Sequence, residues 1–162
     1  MNYSLKLFGL SLILVSAWIV GKGYSLYTKR RLSEMESFAL LLDHIEKEIT
    51  LFLSTPRKLL SDYLSPPIEA FLEEARSGGD LGEAFRKARS KLSLSEKFAQ
   101  LLDRFFSEFG KSYRDGELKK IEICKKELLS ELKTEEESSP GRIKLAYTLL
   151  FAAALSLVIM LL

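Results

Sequence analysis

Residues 145–162 read LAYTLLFAAALSLVIMLL, a run of eighteen residues without a charge, a proline or a glycine. A helix of this length spans about 27 Å, close to the roughly 30 Å hydrocarbon core of a bilayer. Tyr147 lies near its start, where an interfacial aromatic residue is expected, and Arg142 and Lys144 precede it. The alternative, a core helix of a soluble domain, fits poorly because the run is so long and so uniformly apolar. The sequence therefore predicts a C-terminal transmembrane helix within residues 140–162.

A second apolar run, Leu7 to Val20, lies between Lys6 and Lys22. About 15 residues separate the two lysines, which is short for a spanning helix, but lysine side chains can extend to the membrane interfaces. Trp18 lies in the part of the run where an aromatic belt is expected. We predict an N-terminal transmembrane helix in residues 1–27. The alternative is a cleaved signal peptide, for which Val15-Ser16-Ala17 is a poor cleavage site.

The basic residues beside the two runs predict the orientation in the membrane. Lys29-Arg30-Arg31 follows the first run, and Arg142 and Lys144 precede the second. Because Lys and Arg are retained on the cytoplasmic side, residues 28–142 are expected in the cytoplasm and both termini across the membrane. A membrane protein with two spans and a central cytoplasmic domain fits this pattern.

The central segment has the apolar periodicity of α-helices and nowhere alternates with period two. The first predicted helix carries a stripe of apolar residues at steps of three and four: Met35, Phe38, Leu42, Ile45, Ile49 and Phe52. Starts and stops of further helices are indicated by Thr55-Pro56, Ser65-Pro66-Pro67, Gly78-Gly79, Asp80, Ser93 or Ser95, Gly110 and a break at residues 135–141. The predicted fold is all-α: a bundle of about six helices at residues 28–139 with Phe105 in its core, flanked by two membrane helices.

Few residues are candidates for catalysis or for metal or cofactor binding. The chain has one histidine, His44, and one cysteine, Cys124, which lies on the apolar side of the last predicted bundle helix. One histidine cannot supply a zinc site, and the glycines at 78, 79 and 82 lack the strand that a phosphate-binding loop requires. The carboxylates are expected to be scattered over solvated faces. We therefore predict no catalytic residues, no metal, no cofactor and no enzymatic activity. The nearly balanced charge of the central segment argues against nucleic-acid binding.

The stretch from Gly110 to Ile121, GKSYRDGELKKI, lies between the two last predicted bundle helices. Together with the two terminal spans, it resembles the stage III sporulation protein AB family, which has a Gly-x-Ser-Asp-Arg-Glu-x-Gln stretch at this place. Gly110, Ser112, Arg114 and Leu118 fit the family, whereas Tyr113, Asp115 and Glu117 stand where it has Asp, Glu and Gln. The order of the other features also agrees, including a proline at 56 and a Gly-x-x-Leu-x-x-Ala-Phe pattern that ends at Phe85. The resemblance covers essentially the whole chain.

The resemblance implies a function. The family is similar to the cytoplasmic helical bundle of the F-type platform protein of type II secretion systems. It implies a non-enzymatic component of a channel complex between mother cell and forespore in endospore-forming bacteria, in the mother-cell membrane. The implied partners are the bilayer, a secretion-type ATPase and other membrane proteins of the complex, and homo-oligomerisation is left open. The alternatives are a two-span receptor or signal-relay protein and, less favoured, a membrane enzyme.

The loop from Ser112 to Lys120 can be interpreted in two ways. It can be a plain helix connection, in which Ser112 or Asp115 caps the next helix. It can also be a charged docking edge for a partner, formed by Arg114, Asp115, Glu117 and Lys120. The docking hypothesis expects reversal of Arg114 and Lys120 to leave the stability of the domain nearly unchanged, as is usual for surface residues.

Overall fold

The computed structural model describes residues 3–52, 60 and 62–161; for residues 3–8, 10, 51, 52 and 161 it describes the backbone alone. The regular elements in these residues are all helical, and none of the described residues lies in a strand, as predicted. The α-helices are α1 (Tyr3–Phe52), α2 (Glu69–Arg76), α3 (Leu81–Ala88), α4 (Glu96–Glu108) and α5 (Arg114–Leu161), and short 3₁₀ helices lie at Pro66–Ile68 and Arg89–Lys91. The short helix predicted after Thr55-Pro56 lies largely outside the described residues.

The chain divides into two compact units. The first, here called the terminal unit, comprises Met1–Lys29 and Glu136–Leu162. The second, the helical unit, comprises Arg30–Glu135. Helices α1 and α5 each contribute residues to both units.

A cluster of phenylalanine rings forms the centre of the helical unit. Phe38 of α1, Phe71 of α2, Phe85 of α3 and Phe106 of α4 are all buried, and every pair among them has ring centroids between 4.7 and 6.3 Å apart. Burying large aromatic rings supplies much of the free energy that holds a small core together. Phe105 is buried beside them, as predicted, with its centroid 5.3 Å from that of Phe106.

Several of the predicted helix boundaries are confirmed. The Asp80 carboxylate accepts a hydrogen bond from the amide of Glu83 at 3.3 Å, and the Ser95 hydroxyl accepts one from the amide of Phe98 at the same distance. These are N-caps, which satisfy amides that the first turn leaves without a partner. Gly78 and Gly110 follow the ends of α2 and α4 with φ of 101° and 82°, a left-handed conformation that glycine adopts without strain.

The predicted break of the last helix at residues 135–141 is wrong. Helix α5 continues through this stretch with Pro140 inside it. A proline removes a single donor, so only the carbonyl of Glu136 loses its partner in the helical ladder. The glutamates before it are good helix formers and sustain the helix on that side.

The terminal unit packs its two helical segments through small residues. A Cβ atom added to Gly21 would lie 2.4 Å from Cε1 of Tyr147, so the absence of a side chain is what lets the tyrosine ring approach α1. Ala17 and Ala154 are buried in the same unit. Large apolar side chains of this unit are exposed, for example Leu12, Val15, Trp18, Leu149 and Leu155. Close approach through small residues is typical of helix pairs in membranes.

One helix among the described residues, Arg114–Met160, is long and apolar enough to cross a membrane. Its most apolar stretch is almost entirely exposed, whereas a core helix of a soluble protein would be mostly buried. This finding favours the membrane interpretation of residues 145–162 over the soluble alternative. The N-terminal run stays a prediction, since some of its side chains lie outside the described residues.

Candidate functional site

The loop between α4 and α5 is built around one buried carboxylate. Glu117, in the first turns of α5, is 5% exposed and accepts hydrogen bonds from the amides of Gly110 at 3.1 Å and Ser112 at 2.8 Å. Gly110 has the left-handed backbone conformation described above, and both amides face this side chain. An ionised acceptor makes such hydrogen bonds stronger than neutral ones, so Glu117 fixes the shape of the loop.

Two cations brace the same loop. Lys120 lies 3.3 Å from Glu117, and its ammonium also donates to the carbonyl of Glu108 at the end of α4, at 3.0 Å. The Arg114 guanidinium donates to the carbonyl of Thr50 in α1. These contacts connect the loop to α4 and to α1.

The four predicted docking residues therefore do different things. Glu117 and Lys120 hold the loop internally. Arg114 and Asp115 are both exposed, but Arg114 is hydrogen-bonded to α1, whereas no hydrogen bond or ion pair of the Asp115 side chain is described. Reversing Arg114 and Lys120 would remove these bonds and place a carboxylate beside Glu117, so the expectation of unchanged stability is not supported. Helix α5 begins at Arg114, and the carbonyl of Tyr113 accepts from the amide of Glu117, so Tyr113 precedes the first turn rather than Ser112 or Asp115.

The outer surface of the loop is formed by side chains that point into solvent. Tyr113 is 95% exposed, the largest exposed fraction among the large hydrophobic residues described. Lys111, Ser112 and Asp115 are exposed beside it. A tyrosine left so exposed on a braced loop is a feature typical of interaction sites, in which aromatic residues are enriched. The prediction from sequence did not include Tyr113, although its departure from the family pattern marked the position.

A second buried charged cluster was also missed. Glu34 of α1 is fully buried, pairs with Arg30 at 2.8 Å and accepts from the amide of Ser93 in the connection between α3 and α4. Arg31 donates to the carbonyl of Ser93 at 3.2 Å and pairs with the buried Glu135 of α5 at 3.4 Å. The expectation that all carboxylates lie on solvated faces is therefore wrong for Glu34, Glu117 and Glu135. A bare charge pattern does not tell which glutamate reaches a backbone amide.

The residues that could have taken part in catalysis or metal binding make contacts typical of structural residues. Cys124 is buried between α4 and α5, and burial raises the pKa of its thiol to about 12, so the nucleophilic thiolate is scarce at neutral pH. The ring of His44 lies 4.9 Å from that of Tyr63. Lys125 pairs with Asp43 and, at 2.9 Å, with Glu46; its pKa is raised by these hydrogen bonds. No group of three or more metal-ligating side chains occurs in the part of the chain that the structure describes.

The family comparison agrees with the resemblance found in the sequence. The family model described as stage III sporulation protein AB matches residues 6–162. This chain belongs to the stage III sporulation protein AB family. It is thus a sporulation-related protein, and its all-helical unit and its membrane-compatible C-terminal helix are the structural features established for this member. No curated protein and no solved structure matches the chain.

Proposed function

We propose that this protein is a non-enzymatic platform component of a sporulation-specific, secretion-system-like channel complex. Its helical unit would lie in the mother-cell cytoplasm and dock a secretion-type ATPase to the membrane assembly facing the forespore. The observation that carries the docking role is the loop before α5, which a buried carboxylate holds in shape while Tyr113 is 95% exposed. Membership of a sporulation family gives the cellular process.

Two membrane spans form the anchor in this proposal. The close packing of Gly21 against Tyr147 supports a retained N-terminal helix, since a cleaved signal peptide would have no reason to fit a side chain of the C-terminal segment. The exposed apolar residues on both segments would then contact lipid. This packing does not support the alternative of a cleaved signal peptide.

Docking at the loop would use Tyr113 and Asp115, since both side chains are exposed and, unlike the exposed Arg114, neither takes part in a described hydrogen bond or ion pair. A tyrosine gives a large contact area at a low cost in side-chain entropy, and a flanking carboxylate adds charge selectivity. Glu117, Lys120 and Arg114 would act indirectly, by keeping the loop in the conformation that the partner binds.

The test replaces the exposed pair and leaves the bracing residues intact. The double variant Tyr113→Ala with Asp115→Lys should keep its normal level in the membrane and its thermal stability. Substitutions at surface positions usually change the free energy of unfolding by no more than about 0.5 kcal/mol. The double variant should lose co-purification with the secretion-type ATPase during sporulation and reduce spore yield. The control is Glu73→Lys, a charge reversal at an exposed site on α2. Normal ATPase recovery with the double variant would rule out docking through this loop.

A further inference from the structure

Besides the loop before α5, the helical unit carries a groove between α4 and α5. Two adjoining depressions of about 280 and 670 Å³ share four lining residues: Leu101 and Arg104 of α4, and Ile123 and Glu127 of α5. Ile123 is 49% exposed. Across both depressions the charged lining residues are four basic and two acidic: Lys97, Arg104, Lys120, Lys126, Glu108 and Glu127. We call this surface the basic groove.

A different surface of the same unit carries an exposed apolar ridge on α1. Leu40 is 61% exposed, and Glu36 and Asp43 lie four residues before it and three after it, on the same helix face. The ridge borders a shallow depression of about 320 Å³ toward α5, where Leu129 is 46% exposed. Its charged lining residues are two acidic and one basic: Glu36, Asp43 and Lys125. We call this surface the acidic ridge.

We propose that the acidic ridge of one copy binds the basic groove of a second copy. Leu40 would enter the groove between α4 and α5 where it is lined by Leu101, Arg104, Ile123 and Glu127. Glu36 would then face the basic rim of the groove.

The properties of the two surfaces select a second copy as the occupant. Each surface exposes large aliphatic side chains, and the prevailing signs of charge are opposite. Such complementarity fixes register and disfavours contact between two identical surfaces. Three of the four basic residues of the groove already have partners: Lys97 pairs with Glu131, Arg104 with Glu127 and Lys120 with Glu117. On the ridge, Asp43 pairs with Lys125. Among the described residues, however, no salt bridge involves Glu36 or Lys126, so these two are available to pair across the contact.

The contact joins two different surfaces, so it is heterologous. Each added copy leaves one ridge and one groove open, and copies therefore continue into a ring if the rotation closes and into an open array if it does not. Copies anchored in one membrane meet repeatedly at such a contact, since anchoring raises their effective concentration. The inference does not depend on the proposed ATPase docking, whose contact residues Tyr113 and Asp115 line neither the groove nor the ridge; Lys120 lines the groove and also braces the loop.

Cysteine crosslinking of the full-length chain in membranes tests this arrangement. In a Cys124→Ala background, Leu40→Cys with Ile123→Cys on one chain should give a ladder of crosslinked multimers. Either variant alone should stay monomeric, and coexpression of the two single variants should stop at dimers. The matched control, Ser90→Cys with Ile123→Cys, pairs the groove with an exposed serine away from the ridge and should give no ladder.

Charge reversal adds a rescue to the same assay. Glu36→Lys or Lys126→Glu alone should lower the ladder yield by about two- to fivefold, the factor expected for one exposed charge pair. The two together should restore it. Self-crosslinking of the Leu40→Cys variant alone would show a symmetric contact and overturn the proposal. Crosslinks formed solely with a different protein would also overturn it. So would a ladder yield that neither charge reversal changes.

Discussion

At the scale of single residues, Glu117 determines the shape of the loop before α5. Glu117→Ala should destabilise the protein by about 1–3 kcal/mol, because hydrogen bonds to a charged group are lost and the Lys120 ammonium loses its carboxylate. Glu117→Gln should cost less, since one acceptor oxygen remains. Urea unfolding of the detergent-solubilised chain, followed by circular dichroism, measures both. The control is Asp115→Ala, at an exposed carboxylate two residues away; equal losses for the two alanine variants would contradict the role of Glu117.

At the scale of helices, the ring of Phe106 lies at the centre of the aromatic cluster. It is fully buried and its ring neighbours those of Phe38, Phe71, Phe85 and Phe105. Phe106→Ala should cost about 3–5 kcal/mol in the same unfolding experiment, because the cavity it leaves is enclosed on several sides. Phe105→Ala should cost less, since Phe105 also lines the basic groove and the space can open to solvent. A loss below about 1 kcal/mol for Phe106→Ala would mean that the ring cluster is not the core.

The packing of α1 on α5 in the terminal unit depends on one glycine. Gly21→Leu should destabilise the solubilised protein by about 1–3 kcal/mol, since the new side chain overlaps the ring of Tyr147. Gly23→Leu is a matched control: Gly23 is exposed, lies two residues further along the helix, and has no atom within 4 Å of an added Cβ. Thermal unfolding of both variants separates a steric effect from a change of helix propensity. Equal shifts for the two would show that the contact contributes nothing.

Helices and their buried faces could be predicted because they follow from local chemistry. Periodicity at steps of three and four identified the buried face of α1, where Met35, Phe38, Leu42, Ile45 and Ile49 are all buried; the side chain of Phe52 lies outside the described residues. The caps at Asp80 and Ser95 are local side-chain bonds. The loop architecture could not be predicted in this way. Whether Glu117 or Glu34 is buried depends on a backbone amide of a neighbouring segment, at Ser112 or Ser93, coming within reach. Pro140 was misread because a long helix tolerates one missing hydrogen bond.

At the scale of the whole molecule, the orientation in the membrane can be tested by maleimide labelling of introduced cysteines, because the chain's own cysteine is buried. Cys124 is buried and its thiol has a pKa raised to about 12, so it should stay silent toward maleimides at neutral pH. A cysteine at the exposed Ser77 then reports on the helical unit alone. In intact cells expressing the chain, Ser77→Cys should resist a membrane-impermeant maleimide and react after permeabilisation, because the basic residues beside both apolar runs favour a cytoplasmic location.

The matched variant for this topology is Asn2→Cys, at the other end of the predicted N-terminal span. With two spans and a central cytoplasmic unit, Asn2→Cys lies across the membrane and should react in intact cells, opposite to Ser77→Cys. A cleaved signal peptide would remove the label site, so the mature protein would carry no label at any stage. Reaction of Ser77→Cys in intact cells would place the helical unit outside and would also exclude docking of a cytoplasmic ATPase. Protection of Ser77→Cys together with labelling of Asn2→Cys is the result that the two-span topology requires.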